Sequence, residues 1–205
     1  MILNFDEFQK THQNGSELNN IRIKNLNIFK KKGFPSKKEE NWKYTDLETI
    51  LSNNLNKLEI PNNKKTSQYN SEWLLKNFQH NQIILVNGDF VGSNFIFEAK
   101  EKIKIKSLKM VLKDKKIFKK IINYFTEQQN SLTSLNHALV NDGIFLEIED
   151  NYSFKKPLII YNFFNKFSES KIINNKNFIS LGNHSKLNLL DYYQAEDGIK
   201  YFFIF

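Results

Sequence analysis

After Gly143 the chain offers strand after strand and no helix, and this narrows most what it can fold into. Ile144, Leu146 and Ile148 alternate with Phe145, Glu147 and Glu149, the period of a strand with one buried face. Leu158 to Phe164 is apolar almost without a break, which predicts burial on both faces. Leu187 and Leu189 share one face of a later strand, with Leu190 and Tyr192 on the other. Turn-rich pieces separate the strands: Glu149-Asp150-Asn151, then Ser168 to Asn177, then Gly182-Asn183-His184-Ser185. Without intervening helices there are no βαβ crossovers. Two architectures remain, an antiparallel sandwich and a parallel β-helix. Periodicity does not choose between them, and no tight internal repeat announces a solenoid.

The first 80 residues have a different character and read as a helical region. Ser16 can cap a helix whose Leu18, Ile21, Ile28 and Phe29 fall near one face. Lys30, Lys31 and Lys32 complement the dipole of its last turn, and Gly33 then Pro35 stop it. A second helix is expected from about Thr45, a polar loop over 61–70, and a third helix capped by Ser71 and carrying Trp73, Leu74, Leu75 and Phe78. From residue 81 onward the chain becomes strand-rich. Gln82 to Val86 is followed by Asn87-Gly88, a hairpin turn pair. Ile103 and Ile105 alternate with lysines. One helix is expected over about 110–128, with Val111, Phe118, Ile121, Ile122 and Phe125 on one face and a solvated lysine face opposite. The expected organisation is therefore a helical region over 1–80 and a strand-rich region over 81–205, α+β in class.

Composition removes several functions. Runs such as Pro157–Tyr161 and Tyr201–Phe205 are too short to span a membrane. The start, Met1-Ile2-Leu3-Asn4-Phe5-Asp6-Glu7, lacks the basic stretch of a secretory signal, so a cytoplasmic home is expected. There is no cysteine, which excludes disulfides and thiolate ligation of zinc or an iron–sulfur cluster by this chain. The net charge of +8 rests on lysine, with Arg22 the only arginine, and reads as a solubility property more than as phosphate recognition. A basic nucleic-acid-binding domain stays as the alternative. His12, His80, His137 and His184 form no spaced metal pair, and no metalloprotease helix motif, phosphate loop or nucleophile elbow occurs. Glu147, Glu149 and Asp150 could be an acid/base set of a carbohydrate-active β-helix. Their alternation with buried-type residues instead marks the wet face of a strand. His184, in a turn, is the histidine best placed for ligation. No catalytic, cofactor-binding or metal-ligating residue is expected.

Two stretches carry a resemblance. Gly33-Phe34-Pro35-Ser36, running on to Glu40-Asn41-Trp42-Lys43-Tyr44-Thr45, resembles the Gly-x-Pro-Ser/Thr…Glu-x-Trp-Lys-Tyr-Thr signature of SufD-type members of the SufB/SufD family. Leu135-Asn136-His137-Ala138, followed by Asn141-Asp142-Gly143, is similar to the segment by which that family enters its β-helix. Lys156-Pro157-Leu158 matches the family's Lys-Pro strand start, where the missing N–H of proline costs least. The resemblance covers about residues 30–200. It implies a helical region followed by the first coils of a right-handed parallel β-helix. Read from the residues themselves, Trp42 and Tyr44 are amphipathic anchors for packing across a domain junction. The resemblance also implies a non-catalytic scaffold of the SUF iron–sulfur cluster assembly system, working in the cytoplasm with a SufB-like paralogue and a SufC-type ATPase. The cluster would be handled by the whole complex and not by this chain alone, with sulfur ligands from a partner. The family continues past the point where this sequence stops, so the SufC-binding helices and the family's functional positions fall outside it. An uncovered last coil would be expected to self-associate.

Overall fold

Local chemistry sets the helical layer. The computed structural model describes residues 5, 16–54, 68–126, 130–199 and 203–204; His12 and positions 61–67 of the loop expected over 61–70 lie outside them. Helix α1 (Glu17–Lys32) starts at Ser16, whose hydroxyl accepts the Asn19 N–H at 3.2 Å. It ends where Gly33, at φ 72°, donates its N–H to the Phe29 carbonyl at 2.7 Å, as the basic last turn and glycine stop predict. Asp46 opens α2 (Leu47–Asn54) by accepting the Thr49 N–H at 3.0 Å. Leu26 and Phe29 of α1 and Leu51 of α2 share one core with Leu135, Ala138 and Leu139.

Two helical expectations are corrected. The third helix, at Ser71, is a single 3-10 turn, Ser71–Trp73, capped by Asn70. Leu74 is extended, so Trp73, Leu74 and Leu75 all lie against the sheet beneath them. Burial of three consecutive apolar side chains overrides helix propensity there. The single helix expected over about 110–128 is three short ones: α3 (Leu108–Val111), α4 (Lys115–Ile121) and α5 (Asn123–Thr126). The break falls at Asp114, whose carboxylate accepts the N–H groups of Lys116 and Ile117 and so begins a new helix. The apolar stripe survives the break, because Val111, Phe118, Ile121 and Phe125 stay in one core. A further helix, α6 (Ser131–Leu139), holds the Leu135-Asn136-His137-Ala138 motif.

The strands are β1 (Asn81–Val86), β2 (Asp89–Asn94), β3 (Ile103–Ser107), β4 (Asp142–Ile148), β5 (Leu158–Phe164), β6 (Ile172–Ile173), β7 (Asn175–Leu181), β8 (Leu189–Ala195) and β9 (Phe203–Ile204). Asn87 and Gly88, at φ 52° and 85°, make the expected hairpin between β1 and β2. The sheets are mixed and open, ordered β2-β1-β5-β8, β3-β4-β7 and β6-β9. Consecutive strands β4, β5 and β6 each enter a different sheet and do not pair with one another. Each pairs in parallel with a strand one lap later: Asp142 with Asn175, Leu158 with Leu189, and Ile172 with Phe203. The hairpin sandwich is therefore not the arrangement here.

Inward residues Ile83 and Leu85, Ile144 and Leu146, and Leu158 and Ile160 fill one core. The other side of β5, Ile159, Tyr161 and Phe163, is covered by Tyr69, Trp73, Leu74 and Leu75. That cover explains the unbroken apolar run. The tightest contact lies at the start of β4. Gly143 sits at φ 136°, and a Cβ on it would collide with the Lys176 carbonyl of β7. Gly143→Ala should therefore cost at least about 3 kcal/mol in urea unfolding. Gly92→Ala, where a Cβ meets nothing, should change stability by less than about 1 kcal/mol.

Candidate functional site

The outer face of β4 and β7 is roofed by α4, α5 and α6, leaving a cleft of about 460 Å³. Phe145 and Phe178, paired across β4 and β7, form its floor. At its inner end His137, 1% exposed, holds the Lys176 ammonium at 2.6 Å from Nε2. The same ammonium lies 5.5 Å over Phe125 and 5.9 Å over Phe178. Burial, and then the charge of Lys176, lower the His137 pKa to about 4, against an opposing hydrogen bond with the Phe125 backbone. The imidazole is thus neutral near pH 7 and serves as an acceptor. At the mouth, Lys120 pairs with Glu147 at 3.3 Å. The cleft can hold a small anionic or aromatic group. Among the described residues it brings together no nucleophile with a base and an orienting partner.

The strongest polar clusters join elements. Asp142, 1% exposed, accepts from the Phe90 N–H at 3.1 Å, the Ser107 hydroxyl at 2.6 Å and the Lys109 N–H at 2.9 Å. Glu98, 8% exposed, accepts from the Tyr152 hydroxyl, the Asn81 amide and the N–H groups of Lys155 and Lys156. Burial alone would raise its pKa, but these four donors together hold it below the usual carboxylate value. His80 donates from Nδ1 to the Phe78 carbonyl at 2.9 Å, which leaves Nε2 to accept the Tyr161 hydroxyl at 2.6 Å. Tyr161 in turn accepts the Leu75 N–H at 3.2 Å, and burial pushes its phenol up. These groups tie loops to strands.

The candidates named from sequence are spread apart. His184 sits at φ 59° in an exposed turn. Glu147 and Glu149 pair with different lysines, Lys120 and Lys102, the latter at 3.0 Å. Asp150 accepts the Asn183 N–H at 2.7 Å, joining the turn after β4 to the turn after β7. Among the described residues no three His, Asp or Glu side chains gather as a metal site. The anchoring role expected of Tyr44 is corrected within this chain: the ring is 90% exposed, with Lys43 5.5 Å above it, because the turn after Glu40–Trp42 directs it to solvent. The His137–Lys176 pair was missed. Its members lie 39 residues apart, and the motif that contains His137 does not reach Lys176.

Two pH windows follow. His137 is harder to protonate folded than unfolded, so its contribution is full above about pH 6.5 and is lost as pH falls toward 4. His137→Gln, an acceptor that does not titrate, should flatten thermal stability across that window. Glu98 acts lower, because its contribution is present above the unfolded carboxylate pKa and is lost as pH falls through its depressed folded value. Glu98→Gln should cost about 2 kcal/mol at pH 7 and much less in acid, by urea unfolding.

Residues 4–160 match the family described as the SufBD protein N-terminal region. No curated protein matches the chain. No helix among the described residues is long and apolar enough to cross a membrane. Since the match spans most of the sequence, the chain belongs to the SufBD family, components of the SUF iron–sulfur cluster assembly system.

Proposed function

We propose that the chain is the N-terminal region of a SufD-type, non-catalytic scaffold subunit, acting in the cytoplasm beside a SufB-like paralogue and a SufC-type ATPase. In this reading β4, β5 and β6 are the first coil of a right-handed parallel β-helix, and β7, β8 and β9 are the second. The observation that carries it is the return of the chain over itself. Asp142 meets Asn175 and Leu158 meets Leu189 in parallel register, on two different sheets, within a chain of this family. The Gly33 to Thr45 motif favours the SufD type over the SufB type. The role is to position, and the cluster is cargo. Without cysteine these 205 residues offer no thiolate, so in this reading sulfur ligands come from elsewhere in the complex.

Deleting the gene should lower the cluster occupancy of a [4Fe–4S] dehydratase in cells grown on limiting iron, and complementation should restore it. Unchanged occupancy would overturn the assignment. A polypeptide of these 205 residues, mixed with the SufC-type ATPase alone, should not retain it, because the family docks that ATPase through a later helical segment. Co-elution that survives a wash at physiological salt would contradict this docking scheme.

A further inference from the structure

The positive charge of this chain sits in one place. Residues 100–120 contain ten lysines against Glu101 and Asp114, a net of +8, which equals the charge of the whole protein. The rest of the sequence is balanced, so a general taste for lysine does not account for the excess. In the fold this segment is β3, α3 and α4 with their flanks. Ile103 packs into the core and Ile105 against it, which turns Lys104 and Lys106 outward. Lys113, Lys115, Lys116 and Lys119 are exposed around α4, and Met110 on α3 is 67% exposed among them. Lys120 pairs with Glu147 on β4 and Lys102 with Glu149 just after it, and Asp114 is engaged in capping α4. A large excess of exposed ammonium groups remains.

We propose that this face docks an acidic segment of a partner protein, with an apolar side chain of that partner against Met110. Charge complementarity supplies the steering. The exposed thioether supplies an adaptable apolar contact. Nucleic acid is the poorer fit. Arg22, the one arginine, is spent on the Val140 carbonyl at 2.6 Å. Phe118, the one aromatic residue of the segment, is 4% exposed, so no base can stack on it.

The test is fluorescence anisotropy with the 205-residue chain and three probes of equal charge. These are a short Asp/Glu peptide with one central leucine, a single-stranded oligonucleotide and a duplex, each at ~150 mM salt. The peptide should bind most tightly. Lys106, Lys116 and Lys119 changed together to Glu should weaken it by about tenfold or more. The same change at Lys38, Lys166 and Lys186, exposed lysines outside the segment, should alter it by less than about threefold. Met110→Ser should weaken the peptide and leave both oligonucleotides unchanged. If the triple Glu variant does not melt cooperatively, the triple Gln variant replaces it. An oligonucleotide that binds more tightly than the peptide, equal losses in the patch and control variants, or no peptide binding would each overturn the proposal.

Discussion

The Asp142 carboxylate is the point on which the arrangement depends. It is almost wholly buried, and a buried charge is costly unless donors surround it. Three donors do so, from β2, from the end of β3 and from the first turn of α3. One side chain thus fixes the hairpin, the antiparallel strand and the start of the helical roof to the first residue of β4. Gly143 follows at once and lets β4 approach β7 so closely that no side chain fits between them. The Asp-Gly pair therefore does two separable jobs, junction and close approach, and neither is chemistry on a substrate.

Glu98 does for the opposite corner what Asp142 does here. It gathers Asn81 at the head of β1, Tyr152 in the turn after β4, and the two N–H groups before Pro157. Proline donates nothing, so the chain entering β5 relies on the two residues before it for anchorage. A charged acceptor suits that task, because hydrogen bonds to an ionised group are the stronger kind. Buried ionisable groups in this chain thus locate folding joints. His137 differs, being held neutral against an ammonium in a cleft, and its chemistry is that of a fixed acceptor.

Local pattern revealed local structure. The Ser16 cap, the Gly33 stop, the Asn87-Gly88 hairpin and the two-sided burial of β5 were all legible because each is decided within a few residues. The lap from β4 to β7 was not, although its register is regular. Asn151 and His184 both sit at φ 59° in stacked turns, joined by the Asn151 N–H to the Asn183 carbonyl at 2.7 Å. The turn demands a backbone conformation and not a residue type, so no repeat appears in the letters. The joining roles of Asp142 and Glu98 were not legible for a related reason: Phe90 lies 52 residues from the first and Tyr152 54 from the second. The charge of the segment 100–120 was visible, but its concentration on one face required the fold.

The two ends of the strand stack differ in their edges. On one side β2 and β3 are the outermost strands. There β3 carries exposed Lys104 and Lys106, and β2 is the second arm of a hairpin, features that discourage further pairing. On the other side, among the described residues, β7, β8 and β9 are each the last strand of their sheets. Leu181, Leu189, Leu190 and Tyr193 are exposed there, and from Leu189 to Ala195 the sole charged residue is Asp191. Backbone groups at such an edge gain most when another strand supplies the ladder, and apolar side chains gain when another layer covers them. Among the described residues, charge and a hairpin finish one end of the strand stack, while the other presents exposed apolar side chains along its last strands.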